Sequence, residues 1–322
     1  MKYIELKNSL KTNICNNYLL FGADEFLLNK SVELILNALH INVADMNYQK
    51  FLGENLDYAD VVKALETMPV FDEKKLVVVY LNIKTSTTNL NQLSAYLKNP
   101  NPQSVLILVV GDNIADVKSI ESKFEKVDCN RLTEEVVNKF VLSELKKSNT
   151  NITASALKTL NEYCVYDLTK IVNEVTKLVS YVSDKKLIEE KDVKNLVNKT
   201  VEFQIYELTE NLAKKNKNRV FEILDTLKAK KDVYRTIMPL IYNHFRRLFY
   251  VAVSKEAKSE LGIMLGVKDY AITVAYKQSK MFTKLQLKNI LDCMEQLDYE
   301  LKTSAISNEL AIDYLVLKIL NY

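Results

Sequence analysis

The segment Gly22-Ala-Asp-Glu-Phe-Leu-Leu-Asn-Lys30-Ser31 is the part of this 322-residue chain that comes nearest to a phosphate loop. Such a loop wraps backbone N–H groups around phosphate, adds a Lys and sets a Ser or Thr on magnesium. That chemistry requires the spacing GxxxxGK[ST]. Here the Lys-Ser pair arrives two residues late and the second glycine is missing. Asp24 and Glu25 put carboxylates where phosphate would lie. The apolar run Val105–Val110, which would carry the acidic partners of magnesium, ends in Gly111-Asp112-Asn113 without a pair of acidic residues. A nucleotide site is therefore expected to be absent.

Other reactive side chains are sparse. The two histidines, His40 and His244, belong to no HExxH pattern or Cys/His cluster, and no GxSxG elbow is present. Both are expected to be structural. Cys15, Cys129, Cys164 and Cys293 are at least 35 residues apart and form no CxxC, which suits a reducing cytoplasm. With 5 glycines in 322 residues, against a usual share of roughly 7%, there is little material for ligand-cradling loops. No catalytic residue, metal or cofactor is expected, and the chain is read as one that acts by binding.

The longest apolar runs, Leu76–Leu81 and Val105–Val110, fall far short of the roughly 18 residues that span a bilayer. The opening MKYIELKNSL has no apolar signal core. No membrane association is expected, and the location is read as cytoplasmic. The 39 Lys, 5 Arg and 30 Asn reflect A/T-rich coding, so lysine abundance alone says nothing about nucleic acid. Charge is nonetheless uneven. Residues 1–209 carry 25 basic and 28 acidic side chains, and residues 210–322 carry 19 and 13. The C-terminal third either faces an anionic partner or is a Lys-rich solvated surface.

These residues need elements to position them. Tyr18–Phe21, Tyr48–Leu52, Lys75–Leu81, Ser104–Val110 and Glu125–Leu132 read as strands, two of them apolar enough for a parallel sheet covered on both faces. Helices alternate with them: one after Asp24 with Leu28, Val32, Ile35 and Leu39, one opened by Asp57, and one over Asn89–Lys98. This is a doubly wound α/β sheet. After Thr133 the strand signal ends, and 134–148, 153–164, 167–182 and 190–199 have helical spacing. The remainder is helical too. Val233, Ile237, Leu240, Ile241, Phe245, Leu248 and Ala252 form one long face, with Pro239 as a kink or restart. Thr283-x-x-Gln286 is a capping box, and Ser307 caps a last helix. The division expected is an α/β domain over 1–133, a small helical domain over 134–200 and a helical domain over 201–322.

One turn stands apart. Pro69 ends a helix and leaves Val70 and Phe71 in a short link before the strand at Lys75, with Asp72, Glu73, Lys74 and Lys75 wetting one side. By residue type alone, Val70 and Phe71 fold back into the core.

Five segments, in order along the chain, carry a resemblance. They are Tyr18–Lys30 (YLLFGADEFLLNK), Glu66–Val79 (ETMPVFDEKKLVVV), Asp167–Leu178 (DLTKIVNEVTKL), His244–Leu248 (HFRRL) and Leu297–Thr303 (LDYELKT). Together they resemble the delta subunit family of the bacterial DNA polymerase III clamp loader, a degenerate AAA+ family. The resemblance implies an AAA+/RecA-like parallel sheet followed by two all-α domains, the lid and the collar. It implies a non-catalytic subunit of a nucleotidyltransferase holoenzyme. Its partners would be the beta sliding clamp, the ATPase (gamma/tau) and delta-prime subunits, and primed DNA within the complex. It also implies that the link after Pro69 is an exposed clamp-binding tip, with Phe71 as anchor, Val70 beside it and Met68 at the edge. Arg246 and Arg247 would touch template DNA or a collar neighbour, or form a solvated helix face. The four-Cys zinc module and Ser-Arg-Cys motif of the sister subunits do not occur here. Two other readings use the same residues: an AAA+-related ATPase with an aberrant nucleotide site, and a helical scaffold unrelated to replication.

Overall fold

The structure is a computed structural model that describes residues 1–41, 46–52, 56–81, 87–111, 117–229 and 234–322. Asp112, Asn113 and Val233 of the sequence reading lie outside the described residues. The chain divides into two compact units, Met1–Arg131 and Leu132–Tyr322.

The first unit is built on five parallel strands: β1 (Asn17–Phe21), β2 (Tyr48–Leu52), β3 (Lys75–Tyr80), β4 (Ser104–Gly111) and β5 (Glu125–Asp128). Their spatial order is β2-β3-β4-β1-β5, so β2 and β5 are the edges and the apolar β3 and β4 lie inside. Parallel neighbours need crossovers, and helices α1 (Tyr3–Thr12), α2 (Glu25–Ala38), α3 (Tyr58–Glu66) and α4 (Thr87–Tyr96) accompany the sheet. Side chains alternate across each strand. Leu19, Val77, Val79, Leu106, Leu108 and Val110 share one core with α3 and α4. The alternate residues Tyr18, Leu20, Leu76, Val78, Val105 and Ile107 are equally buried on the opposite face, where α2 packs on β1 and β4. Both faces are thus covered, which is why β3 and β4 read as unbroken apolar runs.

Two sequence expectations shift here. The last strand stops at Asp128 rather than Leu132, because its partner β1 ends at Phe21, opposite Asp128. Helix α1 has no counterpart in the periodicity, since Leu6 is its single buried residue.

The second unit is mainly helical: α5 (Glu134–Lys147), α6 (Ala154–Tyr163), α7 (Leu168–Tyr181), α8 (Glu190–Leu196), α9 (Val201–Ala213), α10 (Lys217–Lys228), α11 (Tyr234–Val253), α12 (Lys258–Leu265), α13 (Asp269–Ser279), α14 (Lys284–Lys302) and α15 (Asn308–Leu320). The strand signal does not end at Thr133. A two-residue parallel pair, β6 (Asn151–Ile152) with β7 (Leu187–Ile188), ties α5 to the segment before α8. Such short ladders leave no periodicity to read. The expected caps are present: Asp24 accepts from Leu27 N–H, Asp57 from Ala59 N–H, Thr283 from Gln286 N–H and Ser307 from Leu310 N–H. Helix α11 runs through Pro239 without restarting. Around residue 200 the chain is tied on both sides within this unit. Thr200 N–H donates to Tyr163 O at 3.0 Å, and Lys199 pairs with Glu207 at 2.8 Å.

Candidate functional site

The connection from β1 to α2 shows what the near-miss phosphate loop became. Gly22 has φ +134°, and a Cβ there would meet the Cys129 carbonyl carbon at 2.3 Å, so the turn closes against the chain after β5. The Asp24 carboxylate accepts from Leu27 N–H at 3.2 Å. The helix end that would greet a phosphate is filled by an anion of its own chain. Lys30 is held by Glu33 at 2.7 and 2.8 Å. Ser31 is fully buried and donates to Leu27 O at 2.8 Å, so its hydroxyl faces the fold and not a metal. The crevice at these strand ends is lined by Gly22, Ala23, Glu25, Asn29, Tyr80 and Gly111 among others, with no Lys or Arg among its described lining residues.

Two of the four cysteines are equally committed. Burial pushes the Cys129 thiol up to about 11 and the Cys164 thiol up to about 12, which keeps both protonated and unreactive. Among the described residues, no cluster of three or more His, Cys, Asp or Glu could hold a metal ion.

The link after α3 is different in kind. Thr67 ends the helix, with its N–H donating to Lys63 O at 3.1 Å. Met68 and Val70 beyond it are 66% and 41% exposed, and Phe71 is fully exposed. The core reading of Val70 and Phe71 from residue type alone is overturned. Phe71 also has φ +63°, a left-handed conformation that costs a bulky residue roughly 1–2 kcal/mol. An apolar ring in water on a strained backbone gains nothing for folding; the surroundings must impose it.

The imposing group is Asn47, just before β2 and buried. Its Oδ1 accepts from Val70 N–H at 2.7 Å. Its Nδ2 donates to Val70 O at 2.8 Å and to Asp72 Oδ2 at 2.6 Å. Its own carbonyl accepts from Leu76 N–H at 2.7 Å. Downstream, Lys74 Nζ donates to Asn16 Oδ1 at 3.1 Å and Lys75 N–H to Gln103 O at 2.9 Å. Met46, 76% exposed, precedes Asn47 in the chain. Neither Met46 nor Asn47 was singled out in the sequence. A contact across 23 residues leaves no local pattern, and the only trace is a polar Asn before a strand.

Arg246 and Arg247 part company on α11. Arg246 is exposed. Arg247 is buried, with its Nη1 donating to the Tyr206 hydroxyl at 3.1 Å and lying 4.0 Å from Glu202. The Tyr206 hydroxyl in turn donates to Glu202. Arg247 departs from the expected solvated helix face: its guanidinium is buried inside the unit and bonded to Tyr206. His244, one turn away, is also buried. Gln278 Nε2 donates to Tyr206 O at 2.9 Å, which turns Gln278 Oε1 toward His244 Nε2 at 2.7 Å. The proton therefore sits on Nε2, and Nδ1 has no hydrogen-bond partner. Burial, then the nearby Arg247 charge, hold the imidazole down at about 3, against a smaller opposing effect of the Gln278 bond.

A five-stranded parallel α/β unit with the loop after β1 closed off is followed along the chain by a mainly helical unit. Comparison with known proteins narrows this. Residues 18–133 match the family described as DNA polymerase III, delta subunit, and residues 202–319 match the C-terminal domain of that subunit. The DNA polymerase III subunit delta of Bacillus subtilis (strain 168) is 24% identical over 321 residues, covering 94% of this chain and 92% of that protein. A probable DNA polymerase III subunit delta of Aquifex aeolicus (strain VF5) is 23% identical over 300 residues, covering 87% and 84%. Among solved structures, the Bacillus subtilis DNA clamp loader delta protein superposes with a TM-score of 0.75 at 22% identity, covering 99% of this chain and 100% of that one. The chain belongs to the delta subunit family of the bacterial DNA polymerase III clamp loader.

Proposed function

We propose that this subunit grips the beta sliding clamp through Phe71, Val70 and Met68 and favours the opened ring. It would do so as a non-catalytic partner of the gamma/tau ATPase and delta-prime subunits, on primed DNA in the cytoplasm. The observation that carries this is the tip itself: a fully exposed Phe71 on a left-handed backbone, flanked by the exposed Met68 and Val70. Exposed apolar clusters of this kind mark partner sites. Phe71 would fill an apolar pocket, with Val70 beside it and the pliable Met68 at the margin. Ring opening follows only to the extent that the tip binds the open clamp more tightly than the closed one. ATP then acts through the neighbouring subunits, since this chain's own loop is capped by Asp24.

Two further parts of the reading rest on the family. Residues 134–200 and 201–322 would serve as lid and collar, and the exposed Arg246 would meet DNA or a collar neighbour. A phosphate contact by Arg246 weakens with salt and is lost on charge removal. The clamp reading is tested by co-elution of the Val70→Ser/Phe71→Ser variant with the host's sliding clamp on a sizing column. Loss of co-elution with an unchanged unfolding temperature supports it. Retained co-elution contradicts it.

A further inference from the structure

The tip does not hold its own shape. Among the described residues, the backbone of 68–74 makes no hydrogen bond within the segment; the turn runs through bends alone. The groups that fix the residues on either side of Phe71 come from one side chain, Asn47.

We propose that Asn47 is the positioning residue of the docking tip: its amide clamps Val70 and Asp72 so that Phe71 stands out in one orientation before any partner arrives. This rests on the reading that Phe71 is the clamp anchor. The chemistry of the site selects an asparagine. One acceptor must face Val70 N–H, and the two amide hydrogens must face Val70 O and the Asp72 carboxylate. Aspartate would supply the acceptor but set a second negative charge against Asp72, and alanine would supply nothing. The amide orientation follows from the network, because a flip would point NH2 at N–H and oxygen at two oxygens.

Asn47 can act as a clamp because it is itself fixed. It is buried, and its carbonyl accepts from Leu76 N–H in β3, so the tip is indexed to the start of that inner strand. The strain at Phe71 is thereby held by the fold and not by the partner. Released, the tip would have to be ordered at the moment of binding. Fixing one or two residues carries an entropic cost that corresponds to a loss of roughly tenfold to a hundredfold in affinity.

The chain contains no tryptophan, so Phe71→Trp places a single tryptophan at the tip, excited selectively at the red edge of its absorption, where the 18 tyrosines do not absorb. Its anisotropy in the free full-length protein reports tip motion directly. In that background Asn47→Ala, and separately Asp72→Ala, are expected to lower the anisotropy. Asp72 is exposed, so its replacement keeps the test usable even where Asn47→Ala fails to fold. With Phe71 restored, the same two substitutions are expected to weaken sliding-clamp binding, roughly tenfold or more for Asn47→Ala and less for Asp72→Ala. Unchanged anisotropy and unchanged clamp affinity in folded variants would overturn the role of Asn47 while leaving the tip reading intact. A Phe71→Ala protein that binds the clamp normally would instead remove the tip reading itself.

Discussion

Arg247 and Tyr206 are joined inside the helical unit: the guanidinium donates to the tyrosine hydroxyl at 3.1 Å, with its carbon 6.0 Å from the ring centroid. Arg246, next along the same helix, is exposed. Adjacent arginines with the same charge therefore have different work. Removing a buried, hydrogen-bonded charge leaves the bonded pair Tyr206–Glu202 without its cation. Arg247→Ala is expected to lose about 3 kcal/mol of stability in chemical denaturation. Arg246→Ala is expected to stay within about 0.5 kcal/mol of the parent. Equal effects from the two would contradict this assignment.

The buried His244 makes stability depend on acidity. Its folded pKa of about 3 lies below the unfolded value of 6.5. Between those values the unfolded chain takes up a proton that the fold refuses, so stability falls as the pH drops through that window. The slope for one proton is at most about 1.4 kcal/mol per pH unit. His244→Gln keeps a donor near the Nε2 position and cannot titrate. Its stability should decline less steeply than that of the parent from pH 6 to pH 4, measured by denaturant midpoints at each pH. Parallel curves would show that His244 takes its proton inside the fold.

The closed loop at Gly22 makes a claim about nucleotides. With Asp24 capping α2 and Ser31 bonded to the helix backbone, millimolar magnesium-ATP should leave the melting temperature of the isolated chain unchanged. A ligand present at a hundred times its Kd would add roughly 2.7 kcal/mol and be plain in a melt. Such a shift would restore the reading of an ATPase with an aberrant site.

Much of this was legible in the residues. The apolar β3 and β4 and the helix caps follow from local patterning, because burial on both faces and capping bonds each act within a few residues. Position 71 is where local reasoning failed. Residue type sends a phenylalanine inward, and only the resemblance to a family pointed the other way. The force that reverses it, the Asn47 amide, lies 24 residues upstream in sequence and shows no periodicity. Arg246 and Arg247 likewise look alike as letters. They are separated by the 100° step of the helix, which turns one toward Tyr206 and the other toward water.

The central claim is that Phe71 is the anchor of the interaction with the sliding clamp. Its most direct test is the Kd of wild-type and Phe71→Ala proteins for the host clamp, with the melting temperature of each recorded alongside. Truncating a central aromatic anchor costs about 2–4 kcal/mol, so the Kd should rise by roughly 30-fold to several hundredfold while the melting temperature holds. An unaltered Kd, or a collapse of folding that matches the loss of binding, would contradict the account.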